Sequence, residues 1–284
     1  MPVLTLAEAV PRLRTAHAER RLIPFLGAGF SAPLGLPLWN ELMGWMGTSL
    51  GYEPALFELH GLSSQLAGYF ALEHDGGLPW FIARMRERFH DEAADDRRRR
   101  SLQHQALARC DFRTIYTTNF ERHIEGALTD AGKRAVTLAR LADFMRPVDP
   151  GACQVIKFHG DLEFPETVVL TEAHYFDRFR LEAAPDQRLR SDMLGNVFLF
   201  LGYSFSDVNI RYIWYRMNQM RRDRQPQQQA VAPDFRCYWA TFGAGLVQPR
   251  LLEDWHIDVI ALDPSDKSRS VAQLLAALQP GDPR

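Results

Sequence analysis

Leu22-Ile23-Pro24-Phe25-Leu26-Gly27-Ala28-Gly29-Phe30-Ser31-Ala32-Pro33 is the stretch on which the fold turns. Its apolar run, Leu22 to Leu26, has the length of a buried strand rather than of a helix. It stops at Gly27-Ala28-Gly29, where missing side chains let a backbone approach a ligand closely. Ser31 and Pro33 suit the start of a short helix or turn. In α/β folds, a strand that ends in a small-residue loop at a helix N-terminus is a seat for the pyrophosphate of a nucleotide. The spacing meets the looser dinucleotide fingerprint, with Ala32 in the last place. No second strand ending in Asp or Glu follows about 20 residues later, so this loop alone does not decide function.

Working outward, seven further strands are predicted: Arg113–Thr117, Ala135–Leu138, Cys153–Phe158, Val168–Leu170, Asn196–Leu201, Phe235–Ala240 and Ile257–Ala261. Helical patterns separate most of them. Leu4–Arg20 precedes the first strand, a helix runs from Pro37 to about Leu50, and one long helical stretch is expected from Thr171 to about Met193. Such alternation predicts an α/β fold with a doubly wound, mainly parallel Rossmann-like sheet. Residues 54–110 carry only helical patterns and read as a helical insertion in a single domain spanning residues 1–284. Arg97 to Arg100 follow Asp91, Glu92, Asp95 and Asp96 and read as a solvated, self-paired helix rather than a phosphate patch. The segment from Arg221 to Asp234, rich in Arg, Gln and Pro, reads as a surface loop or local disorder.

The 284 residues are 46% hydrophobic and 24% charged, with a net charge of −2. That balance gives no drive toward nucleic acid or membrane, and no apolar run reaches the roughly 18 residues of a bilayer span. The N-terminus lacks the pattern of a signal peptide, so a cytoplasmic protein is expected. Cys110, Cys153 and Cys237 are widely spaced and form no C-x-x-C pair. That spacing excludes a cysteine-rich structural zinc site.

Four strand ends carry small or polar residues: Gly27-Ala28-Gly29-Phe30-Ser31, Thr118-Asn119, His159-Gly160 and Gly202-Tyr203-Ser204 with Asp207 and Asn209. In this order, over roughly Leu22 to Asn209, they resemble the sirtuin-like family, in particular its bacterial branch of defence-associated NAD-cleaving domains. The resemblance implies that Gly27, Ala28, Gly29, Phe30 and Ser31 hold the NAD pyrophosphate. It implies that Asn119, beside Thr118, and the catalytic His159 act at the nicotinamide ribose. Gly202, Ser204, Asp207 and Asn209 would lie near the adenosine. A side chain introduced at Gly29 would then occupy the pyrophosphate space and weaken NAD binding without unfolding the protein.

The residue types suit that chemistry. Breaking the nicotinamide–ribose bond releases a neutral pyridine, so the carboxylic acid that protonates most sugar leaving groups is dispensable. A histidine can act as base at neutral pH, and a carboxamide can orient water or a hydroxyl. The implied activity is NAD+ hydrolysis to nicotinamide and ADP-ribose, in an NAD-depleting effector of bacterial antiviral defence. Protein deacylation, ADP-ribosyl transfer with the same site, or a non-catalytic NAD- or ADP-ribose-binding module are the alternatives. Implied partners are NAD+, further copies of the chain, and a separate protein such as a HerA-type hexameric ATPase. The helical insertion and the Arg221–Asp234 segment are the surfaces assigned to such contacts. Deacylating sirtuins carry a four-cysteine zinc module after the histidine, whereas residues 161–195 contain no cysteine. Activity should therefore survive strong chelators, and elemental analysis of the purified protein should find no stoichiometric zinc.

Overall fold

The computed structural model describes residues 3–205, 207–222, 236–243 and 245–279. Beyond Arg222, the expected loop to Asp234 lies outside the described residues, as do Ser206 and Phe235. Seven strands form one sheet: β1 (Leu22–Leu26), β2 (Thr114–Thr117), β3 (Arg134–Leu138), β4 (Ala152–Lys157), β5 (Val197–Leu201), β6 (Cys237–Thr241) and β7 (Ile257–Ala261). Their order is β3-β4-β2-β1-β5-β6-β7 and every pairing is parallel. This is the doubly wound arrangement that the alternating pattern predicts.

Fifteen α-helices are described. From the N-terminus to β2 they are α1 (Leu6–Ala18), α2 (Ala28–Ser31), α3 (Trp39–Ser49), α4 (Pro54–Glu58), α5 (Ser63–Glu73), α6 (Gly77–Phe89), α7 (Glu92–Arg100) and α8 (Leu102–Arg109). The remainder are α9 (His123–Asp130), α10 (Leu141–Phe144), α11 (Glu172–Arg178), α12 (Ala184–Asp192), α13 (Val208–Arg222), α14 (Val247–Asp254) and α15 (Lys267–Ala276). None is long and apolar enough to cross a membrane.

Strand alternation divides the core between two faces. Leu22 and Leu26 of β1 and Leu199 and Leu201 of β5 join Leu13 of α1, Leu107 of α8, Ile124 of α9 and Leu274 of α15. Phe25 and Phe200, pointing the other way, join Leu189 of α12, Trp214 of α13 and Leu252 of α14. A third core lies among the helices between β1 and β2: Met46, Phe57, Phe70, Phe81 and Met85 pack together with Phe120, Leu162, Val168 and Leu170. These last four follow the carboxyl ends of β2 and β4, so the helical layer is anchored beside those ends.

Two expectations are corrected. Val168–Leu170 is not a strand. Its residues are buried, but β4 already has β2 and β3 as neighbours, and the Val169 N–H donates instead to the His159 carbonyl at 2.9 Å. The long helix from Thr171 to Met193 is broken between α11 and α12, where Leu181 has φ +57° and Pro185 opens the second helix.

The turns at the ends of β4 and β5 demand glycine. Gly160 has φ +93°, and a Cβ there would lie 2.2 Å from the Thr167 carbonyl oxygen. Gly202 has φ +61°, and its Cβ would lie 2.1 Å from the Phe30 nitrogen. Both the dihedral and the neighbouring backbone oppose a side chain. Gly202→Ala should therefore cost about 2 kcal/mol or more and lower the melting temperature by on the order of 4 °C or more in differential scanning calorimetry.

Candidate active site

Parallel register aligns the four motif-bearing strands. Leu26 pairs with Thr117 on one side and Leu201 on the other, and Thr117 pairs with Lys157. The row Lys157–Thr117–Leu26–Leu201 thus crosses β4, β2, β1 and β5. Two residues beyond it, Asn119 and His159 stand at the ends of adjacent strands. β1, between β2 and β5, is also where the chain reverses its winding, and open parallel sheets bind ligands outside such a switch point.

The glycine loop is built from behind by β5. The Gly27 N–H donates to the Leu201 carbonyl and the Gly29 N–H to the Gly202 carbonyl, each at 3.0 Å. A Cβ on Gly27 would lie 2.5 Å from the Gly202 oxygen, and one on Gly29 3.0 Å. A side chain at Gly29 therefore strains this backbone seam, and the expectation that it would fill only ligand space is corrected. One helix already starts before Ser31, with Gly27 as the extended residue before α2; Ser31 then stands at the start of a 3-10 turn over Ala32–Leu34 that contains Pro33, as expected. Ala28 and Gly29 are exposed in its first turn. Phe30 is buried against the His104 ring at 4.8 Å, and its carbonyl accepts from Gln103 Nε2.

Ser31 and Asn119 meet in a buried network. Ser31 Oγ donates to Glu121 Oε1 at 2.6 Å. Asn119 Nδ2 donates to Ser31 Oγ at 3.1 Å and to Glu121 Oε1 at 3.0 Å. A carboxylate only accepts, so these bonds fix which way the amide faces. Among the described residues, Asn119 Oδ1 is left buried without a partner, available as an acceptor. Ser31 is thereby committed to Asn119 and Glu121. The Thr118 N–H donates to the Leu26 carbonyl at 3.1 Å, and the Asn119 N–H to Thr117 Oγ1 at 3.0 Å.

Glu121 and Lys157 escaped the sequence reading as parts of the site. Burial pushes the Glu121 carboxyl up, but Lys157, His123 and bonds from Ser31 and the His123 N–H outweigh it and hold it at about 2. Lys157 is itself buried in β4. Its Nζ donates to the carbonyls of Asn119, at 3.4 Å, and Glu121, and lies 3.4 Å from Glu125 Oε1. A lysine inside the apolar run Val155-Ile156-Lys157-Phe158 was the available signal, since buried charges require partners.

His159 is held from several sides. Arg178 donates to the Phe158 carbonyl at 2.8 Å while paired with the buried Asp186. The Tyr175 ring meets the imidazole edge to face at 5.5 Å. Asp207 Oδ2 lies 2.7 Å from His159 Nε2, a close contact off the line of a straight hydrogen bond. Asp207, which the resemblance sets near the adenosine, is thus brought against His159. Asn209 is fully buried with both amide atoms unpartnered among the described residues, as is the Tyr203 hydroxyl. Ser204 is exposed, its carbonyl accepting from Gln248 Nε2 at 2.7 Å. Buried polar atoms of this kind call for a ligand or water to satisfy them.

A model of the SIR2-like domain matches residues 113–260, just over half of the 284. The chain belongs to the SIR2-like family. This SIR2-like chain is 30% identical over 223 residues to the NAD(+) hydrolase ThsA of Acinetobacter baumannii (strain 532279), covering 78% of this chain and 44% of that protein. It is 32% identical over 206 residues to the NAD(+) hydrolase ThsA of Bacillus cereus (strain MSX-D12), covering 70% and 40% respectively. The corresponding protein of Cytobacillus dafuensis is 30% identical over 205 residues, covering 72% and 39%. The SIR2-like chain therefore spans less than half the length of these curated relatives. The family match includes Asn119, His159 and Asp207 but begins after the glycine loop.

The Glu121 carboxylate gives the site a pH signature. Its folded value, about 2, lies below the ordinary 4.5. Its stabilising contribution, about 3 kcal/mol from that difference, is complete above pH ~4.5 and is lost as pH falls toward 2. Urea unfolding between pH 5 and pH 2.5 should show a steeper stability loss for the wild type than for Glu121→Gln. Equal slopes would mean that Glu121 is not ionised in the folded protein.

Proposed function

We propose that this chain hydrolyses NAD+ to nicotinamide and ADP-ribose, with Asn119 and His159 acting on the nicotinamide ribose. The observation that carries the proposal is the row of strand ends, which sets these two side chains at the ends of neighbouring strands beside the glycine loop. The names of the NAD(+) hydrolase relatives support the same reading. The exposed backbone at Ala28 and Gly29 faces the pyrophosphate in this proposal, while Gly202, Ser204 and Asn209 flank the adenosine side.

Chemically, the bond from ribose C1′ to the nicotinamide nitrogen breaks and its electron pair leaves with the pyridine. Water adds to the cationic C1′, and its proton passes to His159 and then to solvent. Asn119 contributes as an acceptor, because its Nδ2 is already spent on Ser31 and Glu121. Through Oδ1 it would hold a ribose hydroxyl or the attacking water in place. The physiological role proposed is depletion of NAD+ in antiviral defence. Turnover would be restrained in the isolated chain and released by self-assembly or by a separate partner such as a HerA-type ATPase.

A time course of NAD+ with the purified protein, followed by nicotinamide release, tests the activity. Asn119→Ala should lower the rate on the order of 10²–10³-fold and His159→Ala on the order of 10²–10⁴-fold, with NAD+ binding retained in calorimetry. Because both serve one transition state, the double variant should be little worse than the worse single one. Full activity in His159→Ala would sink the assignment.

A further inference from the structure

Asp207 carries more structure than a ligand contact requires. It is the last residue before α13, and its Oδ1 accepts from the backbone N–H groups of Asn209, at 2.9 Å, and Ile210, at 3.2 Å. One carboxylate oxygen therefore caps the helix. The other, Oδ2, is buried and lies 2.7 Å from His159 Nε2, off the line of a straight hydrogen bond. No other described side chain forms an ion pair or hydrogen bond with Oδ2. Burial pushes the carboxyl up, but His159 and the two backbone N–H bonds outweigh it and hold it below the ordinary value, so it is ionised at neutral pH.

We propose that Asp207 is the positioning residue for His159: pinned by the helix cap, it keeps the proton on Nε2 and leaves Nδ1 as the nitrogen that takes a proton from the attacking water or a ribose hydroxyl. The argument is one of donors and acceptors. A carboxylate has no proton to give, and two bare lone pairs do not sit 2.7 Å apart, so Nε2 carries the hydrogen. A neutral imidazole has one bare nitrogen, which is then Nδ1. The ring has little freedom to turn away. Tyr175 packs edge-on against it, and the Arg178 and Val169 bonds hold the carbonyls of Phe158 and His159. When Nδ1 takes its proton, the positive charge formed lies next to the Asp207 carboxylate, which stabilises it without itself being protonated. This role rests on the hydrolase reading, but the tautomer it specifies exists without substrate.

Two substitutions separate the cap from the imidazole contact. Asn and Ser cap helices about as well as Asp, so Asp207→Asn and Asp207→Ser should melt within about 2 °C of the wild type. In Asp207→Asn the amide oxygen still caps α13, so an N–H group faces His159 and demands a bare Nε2. The proton moves to Nδ1, where it blocks the base. The rate constant kcat for NAD+ should fall on the order of 10²–10⁴-fold with KM within about threefold, and Asp207→Ser should also lose rate. Side-chain ¹⁵N NMR, with His159 assigned by its loss in His159→Gln, should show Nε2–H in the wild type and Nδ1–H in Asp207→Asn. An Nδ1–H tautomer in the wild type, or an unchanged kcat in Asp207→Asn, would overturn the proposal, and the wild-type spectrum decides even if a variant fails to fold. A wild type with the Nε2–H tautomer and no nicotinamide release even from the assembled protein would instead overturn the hydrolase reading and leave the assigned contact standing.

Discussion

A single buried carboxylate ties the site together. Glu121 accepts from Ser31 behind the glycine loop, from Asn119 at the end of β2, and from the N–H that opens α9. Lys157 approaches from β4 and donates to the carbonyls of Asn119 and of Glu121 itself. Three strand ends are thereby linked through one ion that water cannot reach. Burying that charge is costly, and it is tolerated because three donors satisfy it and the Lys157 charge lies close by. The same completeness dictates the chemistry on offer: Asn119 enters the cleft with its donor side already occupied.

Around that ion, the sheet does the aligning. Parallel pairing has a fixed register, and the row from Lys157 to Leu201 places every motif at the same height. Asn119 and His159 stand just beyond the ends of two adjacent strands, so their spacing follows the ~4.8 Å strand repeat.

Much of this was legible because a buried strand has to be apolar and must stop where its residues turn small or polar. Leu22–Leu26, Thr114–Thr117 and Val197–Leu201 were each visible on that rule, and with them the places where Gly27, Asn119 and Gly202 had to stand. The rule failed at Val168–Leu170, since an apolar run reports burial and not pairing. The side chains of Val168 and Leu170 enter the helical core while the Val169 backbone supports His159. Long-range partners were invisible for a different reason. Ser31 and Glu121 are 90 residues apart, and the approach of Asp207 to His159 depends on where α13 begins over the sheet. Neither distance leaves a periodicity that a single sequence can display.

The backbone seam between the glycine loop and Gly202 changes how substitutions in this cleft must be interpreted. A loop that only cradled a ligand would be free to vary wherever the ligand left room. Here the space behind Gly27 and Gly29 is filled by the protein's own main chain, so a mutational scan of those positions reports folding and affinity mixed together. Ala28, exposed in the same turn, already carries a Cβ and takes no part in that seam. It is the one place in the loop where enlarging a side chain interrogates the contents of the cleft rather than its wall.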